Sequence, residues 1–253
     1  MNLATLCDRF DVRLRTAAFE DIDSSANGLQ VGTRSSTVEH VAFAVDAAQA
    51  TIEAAAATEA DLLVVHHGIS WGGIDRISGR TYDRIATLLD GDIALYVSHL
   101  PLDAHPELGN AAGVASTLGV RRREGFGKLG TETIGLRGSI KATHVEDLAG
   151  RLETLDHGDG GVTVLPFGPD RIRRIAIVTG SGADWFDEAV ECNVDAFITG
   201  EGKGHLYHDA RESAVTVILA GHYATETFGV RSMMELAANW GLETTFIDHP
   251  TGL

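Results

Sequence analysis

Short apolar runs alternate along the chain with longer amphipathic stretches. EHVAFAVDA (39–47) reads as a strand leading into the Ala-rich helical segment AQATIEAAAATEA. DLLVV (61–65) and DIALYVSH (92–99) read as strands, with a helix over TYDRIATLLD (81–90) between them. LGNAAGVASTLG (108–119) has the pattern of a helix closed by glycine. The texture then changes. Residues 121–170 hold weaker strands, TIGLRGSI and GVTVLPF, around the helix HVEDLAGRLETL (144–155) and the turn cluster DHGDGG (156–161). Strong alternation resumes with RRIAIVTG (173–180), a GSG turn and a helix from Ala183. DAFITG (195–200), VTVILAG (215–221), the helix ETFGVRSMMELAANWG (226–241) and the strand LETTFID (242–248) follow. Such alternation predicts α/β layers with functional loops at the carboxyl ends of strands.

Length and composition narrow the class. The chain has 253 residues, room for one large or two small α/β domains. No apolar run approaches the roughly 18 residues of a membrane span. The start, MNLATLCDRFDVRLR, is amphipathic and lacks an apolar signal core, so the expectation is a soluble, cytoplasmic protein. Cys7 and Cys192 form no motif and read as small packed residues. Asp and Glu number 36 against 20 Lys and Arg, and only Lys128, Lys141 and Lys203 are lysines. Lysine depletion with excess carboxylate fits a high-salt cytoplasm, where screening weakens self-repulsion. Plain acidity is the simpler alternative. Either balance disfavours nucleic acid, which needs a basic surface. The one basic cluster, Arg121-Arg122-Arg123, is short and runs into Glu124.

Three strand ends carry ligand-type side chains. DLLVV runs straight into His66 and His67. Past the last regular residue the chain can twist and bring both rings to one cavity; equally, either ring can cap a loop or bind a backbone carbonyl. YVSHLPLDAH (96–105) carries His99 and Asp103. GHYATETFG (221–229) sets His222 and Glu226 four apart, on one helical face. Imidazole nitrogens with carboxylate oxygens suit a borderline divalent ion. So many ligands exceed one tetrahedral site and suit two ions about 3.5–4 Å apart.

The motifs NGLQVG (27–32), HHGISWGG, SHLPLDAHPELGNAAGVA, the GSG turn, TGEGKGHLYHDA, GHYATETFGV and DHPTGL occur in that order. This ordered set resembles the Nif-three-like family, whose members are often labelled GTP cyclohydrolase I type 2 homologues, and it covers almost the full chain. The resemblance implies an α/β fold of two layered lobes with a metal site at strand carboxyl ends between them. The lobes expected are 1–125, completed by 221–253, and 126–220. It further implies a dinuclear centre on His66, His67, Asp103, His222 and Glu226, with Asp103 bridging and His99 beside the site as a proton carrier. The ions implied are two per subunit, of zinc, iron or manganese. Hexameric rings with metal sites facing an internal cavity are also implied. Two departures stand out: Gly68 replaces the proline common after HH, leaving that loop more flexible with Trp71 at the cavity mouth, and the TGEGKGHLYHDA loop is long, which obscures the roles of His205 and His208.

The function expected is a dinuclear-metal-dependent hydrolase acting on a small molecule. A GTP cyclohydrolase reaction, in which water attacks the purine C8 and the imidazole ring opens, is one case. The alternative is a non-enzymatic, ring-forming metal-binding or regulatory protein. Other residues carry paired readings. GSGADW (180–185) is a phosphate cradle or a plain turn. Asn27 and Gln30 contact substrate or fix a turn. Asp46 serves the site or caps a helix. His249 reaches the site or steadies the terminus. Met233, Met234, Leu236, Ala237 and Trp240 read as helix core.

Overall fold

The computed structural model describes residues 1–33 and 35–253. In chain order the strands are β1 Gly28–Val31, β2 His40–Asp46, β3 Leu62–His67, β4 Ala94–Val97, β5 Arg121–Leu129, β6 Glu132–His144, β7 Thr163–Leu165, β8 Arg171–Ile177, β9 Ala196–Thr199, β10 Thr216–Leu219 and β11 Glu243–Phe246. The α-helices are α1 Leu3–Leu14, α2 Gln49–Ala57, α3 Arg80–Asp90, α4 Leu100–Ala104, α5 Asn110–Thr117, α6 Val145–Leu152, α7 Phe186–Glu191, α8 Leu206–Ser213 and α9 His222–Asn239. The chain forms two compact units, Met1–Leu102 with Gly229–His249 and Asp103–Phe228 with Pro250–Leu253. This is the mixed α/β class that the alternation predicts. No helix among the described residues is long and apolar enough to cross a membrane.

The first unit holds a five-stranded sheet in the order β1-β4-β3-β2-β11. All neighbours are parallel except the edge strand β1, which pairs antiparallel with β4. A parallel sheet covered on both faces needs apolar residues at every position of its inner strands. β3 meets that demand: Leu62, Leu63, Val64 and Val65 are all fully buried. Four such side chains stabilise the sheet by roughly 6–12 kcal/mol together. That exceeds the about 1–3 kcal/mol that one poorly placed buried polar group costs, so the strand tolerates imidazoles at its end. Leu63 and Val65 face a cluster with Ala44, Ile52, Leu88 and Leu95. β3 continues through His66 and His67, so the pair occupies the last two positions of the strand rather than a loop beyond it.

The second unit holds a six-stranded sheet in the order β5-β6-β8-β9-β10-β7. β8, β9 and β10 are parallel; β5, β6 and β7 join antiparallel. Its core includes Leu148, Leu152, Ile172, Ile175, Ile177 and Ile198. One detail differs from the sequence expectation and two refine it. The basic triplet opens a nine-residue strand, β5, paired along most of its length with β6. The TGEGKGHLYHDA segment ends in α8, not a loop. α9 begins at His222, so His222 and Glu226 share its first turns, as their four-residue spacing anticipates. Local polarity conceals the first two, because Arg, Gly and His patterns show no apolar period until a neighbour supplies the buried face.

α5 shows how tight this packing is. Its Gly113 lies against Phe228, and a Cβ there would overlap the ring and its stem. Alanine is the better helix former by about 0.8–1 kcal/mol, but overpacking costs about 1–3 kcal/mol. Gly113→Ala is therefore expected to lower the urea midpoint. A raised midpoint would show that propensity governs this contact.

Candidate functional site

Within the first unit, three imidazoles gather at the carboxyl ends of β3 and β4. His66 is fully buried and donates from Nδ1 to the Ser98 carbonyl at 2.9 Å. His67 donates from Nδ1 to Asp46 Oδ1 at 2.8 Å. His99 donates from Nδ1 to Asp23 Oδ1 at 2.9 Å. A neutral ring that spends its proton at Nδ1 keeps its lone pair on Nε2, the arrangement of a metal-ligating histidine. One ring nitrogen from each of His66, His67 and His99 lies within 4.8 Å of the others. The rings pack at centroid distances of 4.6 Å for His66–His67 and 5.1 Å for His66–His99.

The anchors are themselves held. Asp23 accepts the Ser25 amide at 2.9 Å, the Leu100 amide at 3.0 Å and Asn27 Nδ2 at 2.8 Å. Burial works to raise the Asp23 carboxyl, but His99, Asn27 and the Ser25 amide outweigh it and hold it below its ordinary value. Asn27 Oδ1 also accepts the His99 amide at 2.7 Å. Gln30 Oε1 accepts the Ile69 and Ser70 amides at 2.9 and 3.2 Å. Asn27 and Gln30 thus fix the backbone on both sides of the histidines. Asp46 does not cap α2, whose N-cap is Ala48; its carboxylate goes to His67. Gly68 has a different reason from flexibility, because a Cβ there would strike the Gln30 amide and Val97. Trp71 donates from Nε1 to the Gly68 carbonyl at 3.1 Å and sets its ring edgewise to His99 at 4.9 Å.

Within the second unit, Asp103, His222 and Glu226 come together. Asp103 Oδ1 accepts Asn110 Nδ2 at 2.8 Å and Thr179 Oγ1 at 3.2 Å. A carboxylate oxygen of Asp103 lies within 4.8 Å of one from Glu226. Both residues are buried. The four-residue spacing on α9 sets His222 Nε2 3.1 Å from Glu226 Oε2, while Glu201 lies 3.4 Å from His222 Nδ1. Burial works against charge on His222, but Glu226 and Glu201 outweigh it and raise its pKa to about 9.

The GSG turn shelves this group. Gly180 takes φ +58°, and any side chain there would run into the Glu226 carboxylate. The Gly180 amide donates to Thr225 Oγ1 at 3.1 Å and the Gly182 amide to Thr199 Oγ1 at 2.9 Å. Those two amides are committed inside the protein, as a structural turn requires. His205 and His208 are exposed about α8, and His249 is exposed near the end of the chain. Met233 and Ala237 are fully buried, as a helix core requires.

The first group offers imidazole nitrogens and the second an imidazole with two carboxylates, donor types suited to borderline divalent ions. The family model for Duf34/NIF3 (NGG1p interacting factor 3) matches residues 1–252. The chain belongs to the Duf34/NIF3 family. The GTP cyclohydrolase 1 type 2 homolog of Halobacterium salinarum is 54% identical over 100% of both chains. That of Archaeoglobus fulgidus is 43% identical, again over 100% of both. Among solved structures, protein ybgI, of unknown function, aligns over 100% of both chains at 36% identity with a TM-score of 0.91. TTHA1606 from Thermus thermophilus aligns over 100% of both chains at 38% identity with a TM-score of 0.89.

Sequence reading missed Asp23, Asn110, Thr179 and Glu201. None sits in a spacing that marks it; each acts through a partner between 7 and 76 residues away along the chain. The His222 pairing gives a pH dependence for metal-free protein. Its pKa rises from 6.5 to about 9 on folding. The resulting stability is fully present below about pH 6.5 and is lost as pH rises through about 9, with a size on the order of 2 kcal/mol. Urea unfolding at pH 6 and 9.5 should show wild type losing more stability over that interval than His222→Gln. Equal losses would remove the ion pair from the account.

Proposed function

We propose that this Duf34/NIF3 protein is a dinuclear-metal-dependent hydrolase. Its ligands would be His66, His67, Asp103, His222 and Glu226, with His99 as the proton carrier. The observation that carries this reading is the shared anchoring of three imidazoles by Nδ1, which spends the ring protons on Ser98, Asp46 and Asp23. These residues would hold two divalent ions, of zinc, iron or manganese, which would supply an acidified water and polarise the bond to be cleaved. Asp46 orients His67 and adds to its basicity as a ligand. Asp103 receives two neutral donors on one oxygen, which fixes the plane of its carboxylate. His99, backed by a carboxylate held ionised, accepts a proton and passes it on as an ion pair with Asp23. Trp71 shields one side of that ring from water. The GTP cyclohydrolase names of the relatives make a purine nucleotide one substrate to try first.

His66→Ala, His67→Ala and Asp103→Ala should each lower bound metal while circular dichroism stays near wild type. Glu226→Gln keeps shape but removes charge, and should leave about one ion per chain under the two-metal scheme. Turnover of GTP and a phosphoester panel by metal-loaded protein should fall in parallel. Full metal content in all four variants would dismantle the ligand set. Loss of metal without any turnover in wild type would instead favour a non-catalytic metal protein.

The assembly we propose is a homohexamer, maintained at high salt. An excess of carboxylates, 36 against 20 cations, repels across subunit contacts unless screened. Light scattering should give the hexamer mass in molar salt and smaller species as ionic strength falls. A monomer at every salt concentration contradicts the assembly.

A further inference from the structure

The basic triplet takes no part in the chemistry above, yet the second unit builds a cavity around it. That cavity has a volume of about 700 Å³ and is lined by Gly119, Arg121, Arg122, Ser139, Lys141 and Arg151 among others. The chain carries a net charge of −16 with only 20 Lys and Arg. Four of those cations meet here, and among the described residues no carboxylate lines the cavity.

The backbone is shaped to bring them together. Arg121 pairs with Ser139 and Glu124 with Arg137, so β5 spends three steps against two on β6. The extra residue is a β-bulge, which re-aims side chains. In a regular strand Arg121 and Arg122 would point to opposite faces. Here Arg122 takes φ +52°, a conformation uncommon outside glycine, and both arginines line one cavity. Gly138 accommodates the bulge, since a Cβ there would strike the Arg121 and Arg122 carbonyls. Lys141 sits at a second irregularity, between Ser139 and Thr143 in the pairing of β6 with β8.

Structural duties account for only part of this charge. Arg123 gives its donors to Val120 O, Ala112 O and Ser116 Oγ, and Arg151 gives one to Leu118 O, all around the end of α5. Glu124, the nearest carboxylate in sequence, is engaged by Arg137 at 2.7 Å. Among the described residues, Arg121, Arg122 and Lys141 enter no ion pair. An anion in the cavity would relieve the self-repulsion of these cations.

We propose that this cavity binds the phosphate group of a small organic phosphate. Guanidinium forks match phosphate oxygens in pairs, and a lysine ammonium adds a point charge. The volume falls in the range of small-molecule sites. A nucleic-acid track is less apt, because it needs an extended basic surface and the chain as a whole is acidic.

Pyrophosphate titrated into metal-free, full-length protein by calorimetry tests the assignment, with chloride held constant. Wild type should bind one pyrophosphate per chain, and adenosine diphosphate should compete. The double variant Arg121→Gln/Lys141→Gln should weaken binding by about tenfold or more, as loss of charged hydrogen bonds implies. Arg122→Gly removes a cation while relieving the backbone, so binding should fall with stability unchanged or raised. Arg151 is left intact because it caps α5. No binding by wild type, or equal affinity in the variants, overturns the proposal. So does a single-stranded oligonucleotide that binds while pyrophosphate does not.

Discussion

The constraint on which the first unit's chemistry depends is the fate of three Nδ1 protons. An imidazole is a ligand only through a nitrogen without a proton. Ser98, Asp46 and Asp23 each take the Nδ1 proton of one ring and leave Nε2 as the basic atom. The parallel sheet makes this possible by ending adjacent strands at one level. Asp46 lies opposite His67 in the pairing of β2 with β3, and Val65 lies opposite Val97 at the end of β4, just before Ser98. Register, set by the burial of Leu62 to Val65, therefore decides which acceptor each ring meets.

The second unit solves a different problem, that of buried negative charge. Asp103 and Glu226 are both buried, and each is a poor neighbour for the other without a cation. In the metal-free chain His222 supplies part of that cation, which is why its proton is held so firmly. Gly180 completes the arrangement by leaving room for the Glu226 carboxylate. Anything that displaces the His222 proton must return at least as much positive charge, which the divalent ions proposed above would do.

Local signals revealed the strands, the HH pair and the His222–Glu226 spacing, because periodicity and four-residue spacing are properties of adjacent residues. They did not reveal Asp23 or Thr179, whose partners lie 76 residues away in each case. The Arg121–Arg123 triplet read as an isolated basic cluster because its bulge exists only in the pairing with β6. Gly68 read as a flexible substitute for proline; its reason is a close approach by Gln30, again a tertiary fact. The ordered motifs sufficed for the family, whereas the supporting residues required the pairing of strands.

The three imidazoles sit in chemically unequal surroundings. His66 is anchored by a neutral carbonyl and fully buried, an environment that resists positive charge on the ring. His67 leans on a carboxylate whose side chain is 33% exposed, where water shares the interaction. His99 leans on Asp23, whose side chain is 1% exposed and whose charge is fixed by three further donors. A proton arriving on His99 forms an ion pair with a carboxylate that cannot turn away to solvent. A proton arriving on His66 gains no such partner from Ser98. These surroundings support the proposed division of work, ligation by His66 and proton transfer by His99, although the two rings lie only 5.1 Å apart.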